Sequence, residues 1–441
     1  MSSIESLYQL YLEYPKVRKD TRSDVEGAIY FALKGPRFDG NQFAKTALDQ
    51  GAAAVVVDNL ANLSEGDDRV IYVSDVQTTL QQLASYHRNK FQGKVIAITG
   101  SNGKTTTKEL LSNVLKRRYR VSSTPGNYNN HIGIPLMLLG TSANVDFAVV
   151  EMGASAVGEI QSYCKIVRPE YGIITNIGQA HLEGFGGIEG VVRGKGELYD
   201  YLANNDGHAF LCSDEEYLYE MAVERGVKNK TIYFDSDIPR IIENEFCGQL
   251  LQEHPNILCE IQDQSGDVHL LSSNLNGKYN YRNILAALSV GTFFNVPYPE
   301  MVRAIQLYNP NNNRSQVFEL DDVEYVLDAY NANPTSMKLS LEAFSASRSK
   351  AKVLVIGDML ELGKYSQRAH QEIVDSIKNL KKISAVFLVG KCFKETHTPE
   401  GYFKFNTVGD LKKVWNPKDF AGKSVFLKGS RSLELERLID Q

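Results

Sequence analysis

Val95-Ile-Ala-Ile-Thr-Gly-Ser-Asn-Gly-Lys-Thr-Thr106 runs an apolar stretch through two glycines into a polar, helix-forming one. The apolar half predicts a buried strand over Val95–Thr99, and the segment from about Thr105 predicts a helix. Between them Gly100 and Gly103 let the backbone curl until several N–H groups converge, which is how a loop cradles phosphate. Lys104 is placed to reach terminal phosphates, and the Thr105 hydroxyl is a ligand of the kind Mg²⁺ takes. The helix N-terminus adds partial positive charge. The common form of this loop has glycine where Ile98 stands, so the loop is a variant. A structural turn with an incidental lysine is the bland alternative, and the strand–loop–helix context argues against it.

Outward from the loop the chain alternates strand and helix. Downstream, Phe147–Met152, Gly172–Ile177 and Ala209–Cys212 read as strands and Val191–Leu202 as helix, the order of a parallel sheet with right-handed crossovers. Cys247–Ser273 changes to short alternating strands around Asp-Gln-Ser-Gly, an expected antiparallel addition, before a helix over Tyr281–Phe294. Upstream, Ala28–Leu33 and Ala53–Val57 read as strands, residues 34–40 as a loop, Asn41–Gln50 as a short helix and Thr79–Phe91 as a longer one. Asn309-Pro-Asn-Asn-Asn-Arg314 is the expected linker, because Pro and Asn disfavour regular structure. Beyond it a new α/β series has strands near Tyr325, Val353–Ile356, Val386–Val389 and Val425–Leu427. A chain of 441 residues exceeds one hydrophobic core. The expected architecture is α/β in three domains, 1–88, 89–310 and 311–441, the central one a P-loop parallel sheet and the last Rossmann-like.

Hydrophobic residues make up 43% and charged residues 23%, with a net charge of -5 and the two signs interleaved. That argues against a broad basic surface for nucleic acid. Cys164, Cys212, Cys247, Cys259 and Cys392 form no C-x-x-C pair, a pattern suited to free thiols in a reducing compartment. No signal-like segment and no roughly 20-residue apolar run is present, so a cytoplasmic protein without a membrane span is expected.

Two further residues, Glu151 and His181, lie where open parallel sheets place their sites, beyond strand ends, and Lys195 lies on the helix after them. Glu151 ends Ala148-Val-Val-Glu and suits a nucleotide's Mg²⁺; a surface acid is the alternative. His181, in Thr175-Asn-Ile-Gly-Gln-Ala-His, offers an imidazole ligand or a structural hydrogen bond. Lys195, in Val192-Arg-Gly-Lys-Gly-Glu, reads locally as a solvated charge.

Together these segments resemble the Mur ligase family. They are Thr-Gly-Ser-Asn-Gly-Lys-Thr-Thr (99–106), Asn-Tyr-Asn-Asn-His-Ile-Gly-Ile-Pro (127–135), Glu-Met-Gly-Ala-Ser (151–155), Asn-Ile-Gly-Gln-Ala-His-Leu-Glu (176–183) and Lys-Gly-Glu (195–197). Asp-Ala-Tyr-Asn-Ala-Asn-Pro-Thr-Ser-Met (328–337), Gly-Asp-Met-Leu-Glu-Leu-Gly (357–363) and Lys-Gly-Ser-Arg (428–431) extend it. The likeness runs nearly the whole chain in order and points to the member that joins D-alanyl-D-alanine to UDP-N-acetylmuramoyl-tripeptide.

The resemblance implies roles. ATP phosphates would lie on Gly100, Ser101, Asn102, Gly103, Lys104, Thr105 and Thr106. Two Mg²⁺ sites would use Thr105, Glu151, His181 and Lys195, the last as a carbamate formed with CO₂. An unmodified lysine, pKa near 10.4, stays cationic and repels metal. Lys104, Lys195, His181 and Glu151 would thus be the catalytic set. Asn280 and Asn283 match the adenine site, although Tyr279 stands where the family usually has His. Arg314 and Asp328 match residues of the third domain that close over ATP. Thr21, Arg22, Lys34, Asp39 and Gly40, with Asn127 and Asn130, resemble the binding site for the uridine-diphosphate substrate; Asp39 also reads as a plain turn residue. The implied chemistry makes an acyl phosphate from ATP and the tripeptide carboxylate, which the dipeptide amine then attacks, with the third domain swinging in to exclude water. A monomer is expected. Another amide ligase of the same fold, a catalytically degenerate nucleotide-binding regulator and a plain phosphotransferase are the competing readings.

Overall fold

The computed structural model describes residues 3–61, 63, 66–310, 313–347 and 351–439. It comprises two compact units. One is Met1–Ile98, Tyr119–Gly153 and Glu159–Gly172; the other is Thr99–Arg118, Ala154–Gly158 and Ile173–Gln441.

The first unit opens with a helix, Ile4–Glu13, capped by Ser3, whose hydroxyl accepts the Ser6 N–H. Four parallel strands follow side by side: Val17–Arg18, Ile29–Phe31, Ala54–Val57 and Val70–Tyr72. Small and β-branched side chains let this sheet close on its core, with Tyr30, Ala32, Ala44, Ala47, Val55 and Val57 buried together. Residues 34–40, expected as a loop, contain a tight two-residue pairing of Lys34–Gly35 with Phe38–Asp39. The short helix after it begins as a 3₁₀ turn, Gly40–Phe43, because Asp39 accepts the Asn41 N–H, and continues as Ala44–Asp49. The expected helix over Thr79–Phe91 is Val76–Arg88, started one turn earlier by the Asp75 cap. Its buried His87 and Arg88 are tied to Tyr8 and Thr141, and to Val167 and Glu170. The strand Lys94–Thr99 pairs in parallel with Phe147–Glu151, which pairs with Val121–Ser123.

In the second unit the phosphate-loop helix, Lys104–Leu115, packs on Lys278–Phe293. Strands His208–Cys212, Asn229–Asp235 and Glu245–Gln252 are parallel. The expected antiparallel addition is present as Glu245–Gln252, Leu258–Gln262 and Val268–Ser272. The same unit holds a six-stranded sheet in the order Gln316–Leu320, Val323–Asp328, Ser424–Lys428, Lys352–Gly357, Ile383–Val389 and Tyr402–Phe405. Only the first pairing is antiparallel. Val323, Tyr325, Val353, Val355, Val425, Leu427 and Trp415 are buried on it, each burial worth roughly 1.5–3 kcal/mol. Gln316–Leu320 and Tyr402–Phe405, the edge strands, escaped the sequence reading because their exposed residues break the apolar run. Of the expected linker, Asn311 and Asn312 lie outside the described residues. The five cysteines are free thiols, and no helix among the described residues is long and apolar enough to cross a membrane.

Candidate active site

In the second unit, Gly100 and Gly103 take φ of 140° and 77°. A Cβ on Gly100 would lie 2.0 Å from Thr175 Oγ1, and one on Gly103 would lie 2.6 Å from Asn283 Oδ1. No side chain fits either place, so both positions require glycine. The loop is tied to 175–178: Ser101 N–H donates to the Asn176 carbonyl (3.1 Å), Asn102 N–H to Asn176 Oδ1 (3.0 Å) and Gly178 N–H to Ser101 Oγ (2.9 Å). Lys104 Nζ folds back onto the carbonyls of Gly100 (2.7 Å) and Ser101 (3.2 Å). Asn102 Nδ2 is buried with no acceptor among the described residues. An orphan buried donor on a glycine-curled loop is the arrangement a phosphate oxygen satisfies. Thr105 is 5% exposed, at the first turn of the helix.

Asn283 leans over this loop. Its Oδ1 accepts the Thr107 hydroxyl (3.1 Å) and its Nδ2 donates to Asn280 Oδ1 (3.1 Å). Tyr279, the departure from the family pattern, meets Ser315 Oγ at 3.4 Å, and burial pushes its phenol up to about 12. Arg314 lies 3.7 Å over the Tyr330 ring. Asp328, at the C-terminal end of its strand, receives the Ser315 N–H (3.2 Å), the Ser340 hydroxyl (3.2 Å) and Lys428 Nζ (2.5 Å). Lys428 is in register with Asp328 on the neighbouring strand. The segment 331–336 reaches the loop through Asn333 Nδ2, which donates to Asn102 Oδ1 at 2.7 Å, and the stretch after residue 178 through Thr335 Oγ1, which accepts the Gln179 N–H at 3.0 Å.

Lys195 is not a solvated charge. It is 1% exposed on the helix Ile188–Asn204, donates from Nζ to the Ala154 carbonyl at 3.0 Å, and lies 5.2 Å over the Phe185 ring. His181 sits in left-handed backbone, φ 52° and ψ 38°, with Nδ1 against the Glu361 carboxylate. Glu361 is held below the usual carboxylate range by that hydrogen bond.

In the first unit, Glu151 is 1% exposed. Asn129 Nδ2 donates to its Oε1 at 2.8 Å, and its backbone N–H donates to Thr124 Oγ1 at 2.8 Å. Its Oε2 is buried with no partner among the described residues. A buried carboxylate oxygen left open fits a divalent cation. Of the proposed uridine-diphosphate residues, Lys34 pairs with Asp58 (2.8 Å) and Arg22 with Asp20 (2.6 Å). Thr21 lies between that pair in sequence. Asp39 caps the 3₁₀ turn, and Gly40 packs where a Cβ would meet the Leu33 carbonyl. Asn130 Oδ1 accepts the N–H groups of Ile132 and Gly133, opening the helix Gly133–Leu139, and Asn127 is exposed. Lys19 lies over the Tyr128 ring at 5.7 Å.

The family models described as Mur ligase middle domain, Mur ligase, glutamate ligase domain and Mur ligase family, catalytic domain match residues 98–291, 313–404 and 17–88. UDP-N-acetylmuramoyl-tripeptide–D-alanyl-D-alanine ligase of Bacillus subtilis (strain 168) is 32% identical over 96% of this chain and 92% of its own. The chain belongs to the Mur ligase family. Among solved Mur ligases, MurF from Acinetobacter baumannii superposes with a TM-score of 0.84 at 27% identity, over 96% of this chain and 92% of that one. MurF ligase from Thermotoga maritima, solved in complex with ADP, gives 0.82 at 26%, over 100% and 98%. The fold is the mixed α/β fold with parallel sheets of those Mur ligases.

Sequence reasoning assigned no role to Asn129, Asn333, Thr335, Glu361 or Lys428, all inside segments that carry the family resemblance. Their contacts join residues far apart in the chain, and no local spacing announces such pairs.

Proposed function

We propose that this chain is an ATP-dependent ligase that joins D-alanyl-D-alanine to UDP-N-acetylmuramoyl-tripeptide, completing the pentapeptide precursor of peptidoglycan in the cytoplasm as a monomer. The observation that carries this reading is likeness to ligases of that name across nearly the full length of both chains. The proposed domains are 1–88 for the UDP substrate, 89–310 for ATP and 311–441 for closure and ligation. The tripeptide carboxylate attacks the γ-phosphate, ADP leaves, and the dipeptide amine then displaces phosphate from the acyl phosphate.

Lys104 and the curled N–H groups neutralise the transferring phosphoryl group, and the Asn102 amide supplies one more donor. Thr105, Glu151, His181 and Lys195 as a carbamate are the proposed holders of two Mg²⁺ ions, which would supply charge neutralisation where carboxylate and phosphate crowd together. Carbamylation requires the neutral lysine amine, and Lys195 is buried on its helix. Native mass spectrometry under CO₂ should show one added CO₂, absent in Lys195→Ala; an unchanged mass would remove the carbamate from the proposal. Asn280 and Asn283 are proposed for the adenine, and Arg314 and Asp328 for the closed nucleotide site. Thr21, Arg22, Lys34, Asp39, Gly40, Asn127 and Asn130 are proposed for the uridine-diphosphate substrate. The decisive assay is ADP release with each substrate omitted in turn. Release should need the UDP-linked tripeptide, and the new amide should need D-alanyl-D-alanine; ADP released equally without the tripeptide would defeat the assignment.

A further inference from the structure

The segment Asp358–Gly363 is pinned along its length. Asp358 carboxylate oxygens accept the N–H groups of Cys392 and Phe393, both at 2.9 Å. The Ser430 N–H donates to the Asp358 carbonyl (3.1 Å), and Ser430 Oγ accepts the Leu360 N–H (3.0 Å). His370 Nε2 accepts the Met359 N–H at 3.0 Å while Nδ1 donates to the Ser366 carbonyl at 2.7 Å. Asp358, His370 and Cys392 bring possible metal ligands within 4.8 Å. Yet both ring nitrogens and both carboxylate oxygens are committed to backbone, so this trio is an anchor for the segment and not a metal centre.

What the anchor holds out is Glu361. It takes left-handed backbone, φ 61°, as His181 does opposite it, φ 52°. Non-glycine residues enter that region only at a cost, a strain that persists only where the surroundings impose it. The Glu361 carbonyl accepts the Glu183 N–H at 3.2 Å, and a Cβ on Gly363 would lie 3.1 Å from the Glu183 side chain. This close backbone fit carries the Glu361 carboxylate to His181 Nδ1, which is buried and has no other acceptor among the described residues. Glu361 is 62% exposed at its side chain. An ion pair so open to water adds too little to a fold to account for two strained residues. Orientation of the imidazole remains as the effect that the geometry produces.

We propose that Glu361 is a positioning residue: its carboxylate accepts a hydrogen bond from Nδ1–H of His181, holding the ring in the tautomer whose Nε2 lone pair is free for a cation. Ligating histidines are held this way by a carboxylate on the other nitrogen. The catalytic consequence rests on reading His181 as a metal ligand; the tautomer itself does not.

The experiment keeps the two apart. In protein labelled with ¹⁵N-histidine, long-range ¹H–¹⁵N spectra at pH 8, without metal, report the tautomer of each ring, and His181→Gln identifies the signal. The wild type should show His181 protonated at Nδ1. Glu361→Ala should release it toward Nε2 protonation, and Glu361→Gln, which keeps an acceptor oxygen, should restore the original form. Unchanged signals from the other histidines show that the fold is kept. An Nε2-protonated His181 in the wild type, or no change in Glu361→Ala, overturns the proposal. Separately, Mn²⁺ titration by electron paramagnetic resonance with a non-hydrolysable ATP analogue should show one site weakened about ten- to a hundred-fold in Glu361→Ala. If His181→Gln binds Mn²⁺ like the wild type, the metal role of His181 fails while the tautomer result still decides the role of Glu361.

Discussion

Glu151 shows what a single atom reveals about purpose. One carboxylate oxygen is used by Asn129 and the other, itself buried, by nothing among the described residues. Leaving a charged group so costs about 1–3 kcal/mol or more, and natural sites keep such costs where a ligand repays them. Glu151→Gln keeps the Asn129 hydrogen bond and removes the charge. It should raise the thermal midpoint of the ligand-free protein while abolishing ligation, as read by calorimetry and ADP release; a midpoint that falls by the same margin would show that the carboxylate is structural. Position and residue type at this site were readable at the end of an apolar run. For Lys195 they misled, because local spacing said surface, and only the family resemblance pointed inward. Burial is decided by which helix face meets Ala154 and Phe185, and those partners lie 41 and 10 residues away.

Elements reveal the same division between local and distant causes. The helix Pro334–Ala346 starts with a capping box, Asn333 Oδ1 accepting the Ser336 N–H and Ser336 Oγ accepting the Asn333 N–H, with Pro at its first position. That signal is local. Its second use is not: the same Asn333 reaches Asn102 in the phosphate loop. Asn333→Ala should cost about 0.5–2 kcal/mol from the lost cap, and nucleotide affinity should fall beyond what Ser336→Ala causes. Equal effects from both variants would confine Asn333 to capping. At the start of the strand His208–Cys212, His208 is wedged against Phe210 and Phe293 and bonded to Thr231 Oγ1 at 2.9 Å. Burial drops its pKa from 6.5 to about 4. The unfolded chain therefore binds a proton that the folded one refuses between those values. Stability should fall as pH drops from about 6.5 toward 4 and level off below. Denaturation midpoints of His208→Gln should show a shallower slope, because His87, His254 and His370, also shifted down by burial, keep contributing; an unchanged slope would place the cause elsewhere. The strands that sequence missed, Gln316–Leu320 and Tyr402–Phe405, are sheet edges, where half-exposed residues blur the pattern that buried strands make plain.

For the molecule as a whole, alternation of strand and helix was enough to read parallel α/β architecture, and the glycine-curled loop was enough to expect phosphate binding there. Substrate identity was not in periodicity at all; it came from long motifs in order. Occupancy should be visible in stability. A non-hydrolysable ATP analogue at a hundred-fold its Kd adds about 2.7 kcal/mol to any unit that binds it only when folded. Scanning calorimetry should show that gain in the wild type and lose it in Lys104→Ala; an equal shift in both would move nucleotide binding away from the loop. One contact already described carries a practical corollary. The link between Asn102 and Asn333 joins two uncharged amides, and dissolved ions screen charges, not neutral dipoles buried against each other. Brine that loosens the exposed ion pairs of this protein should leave that clasp fastened.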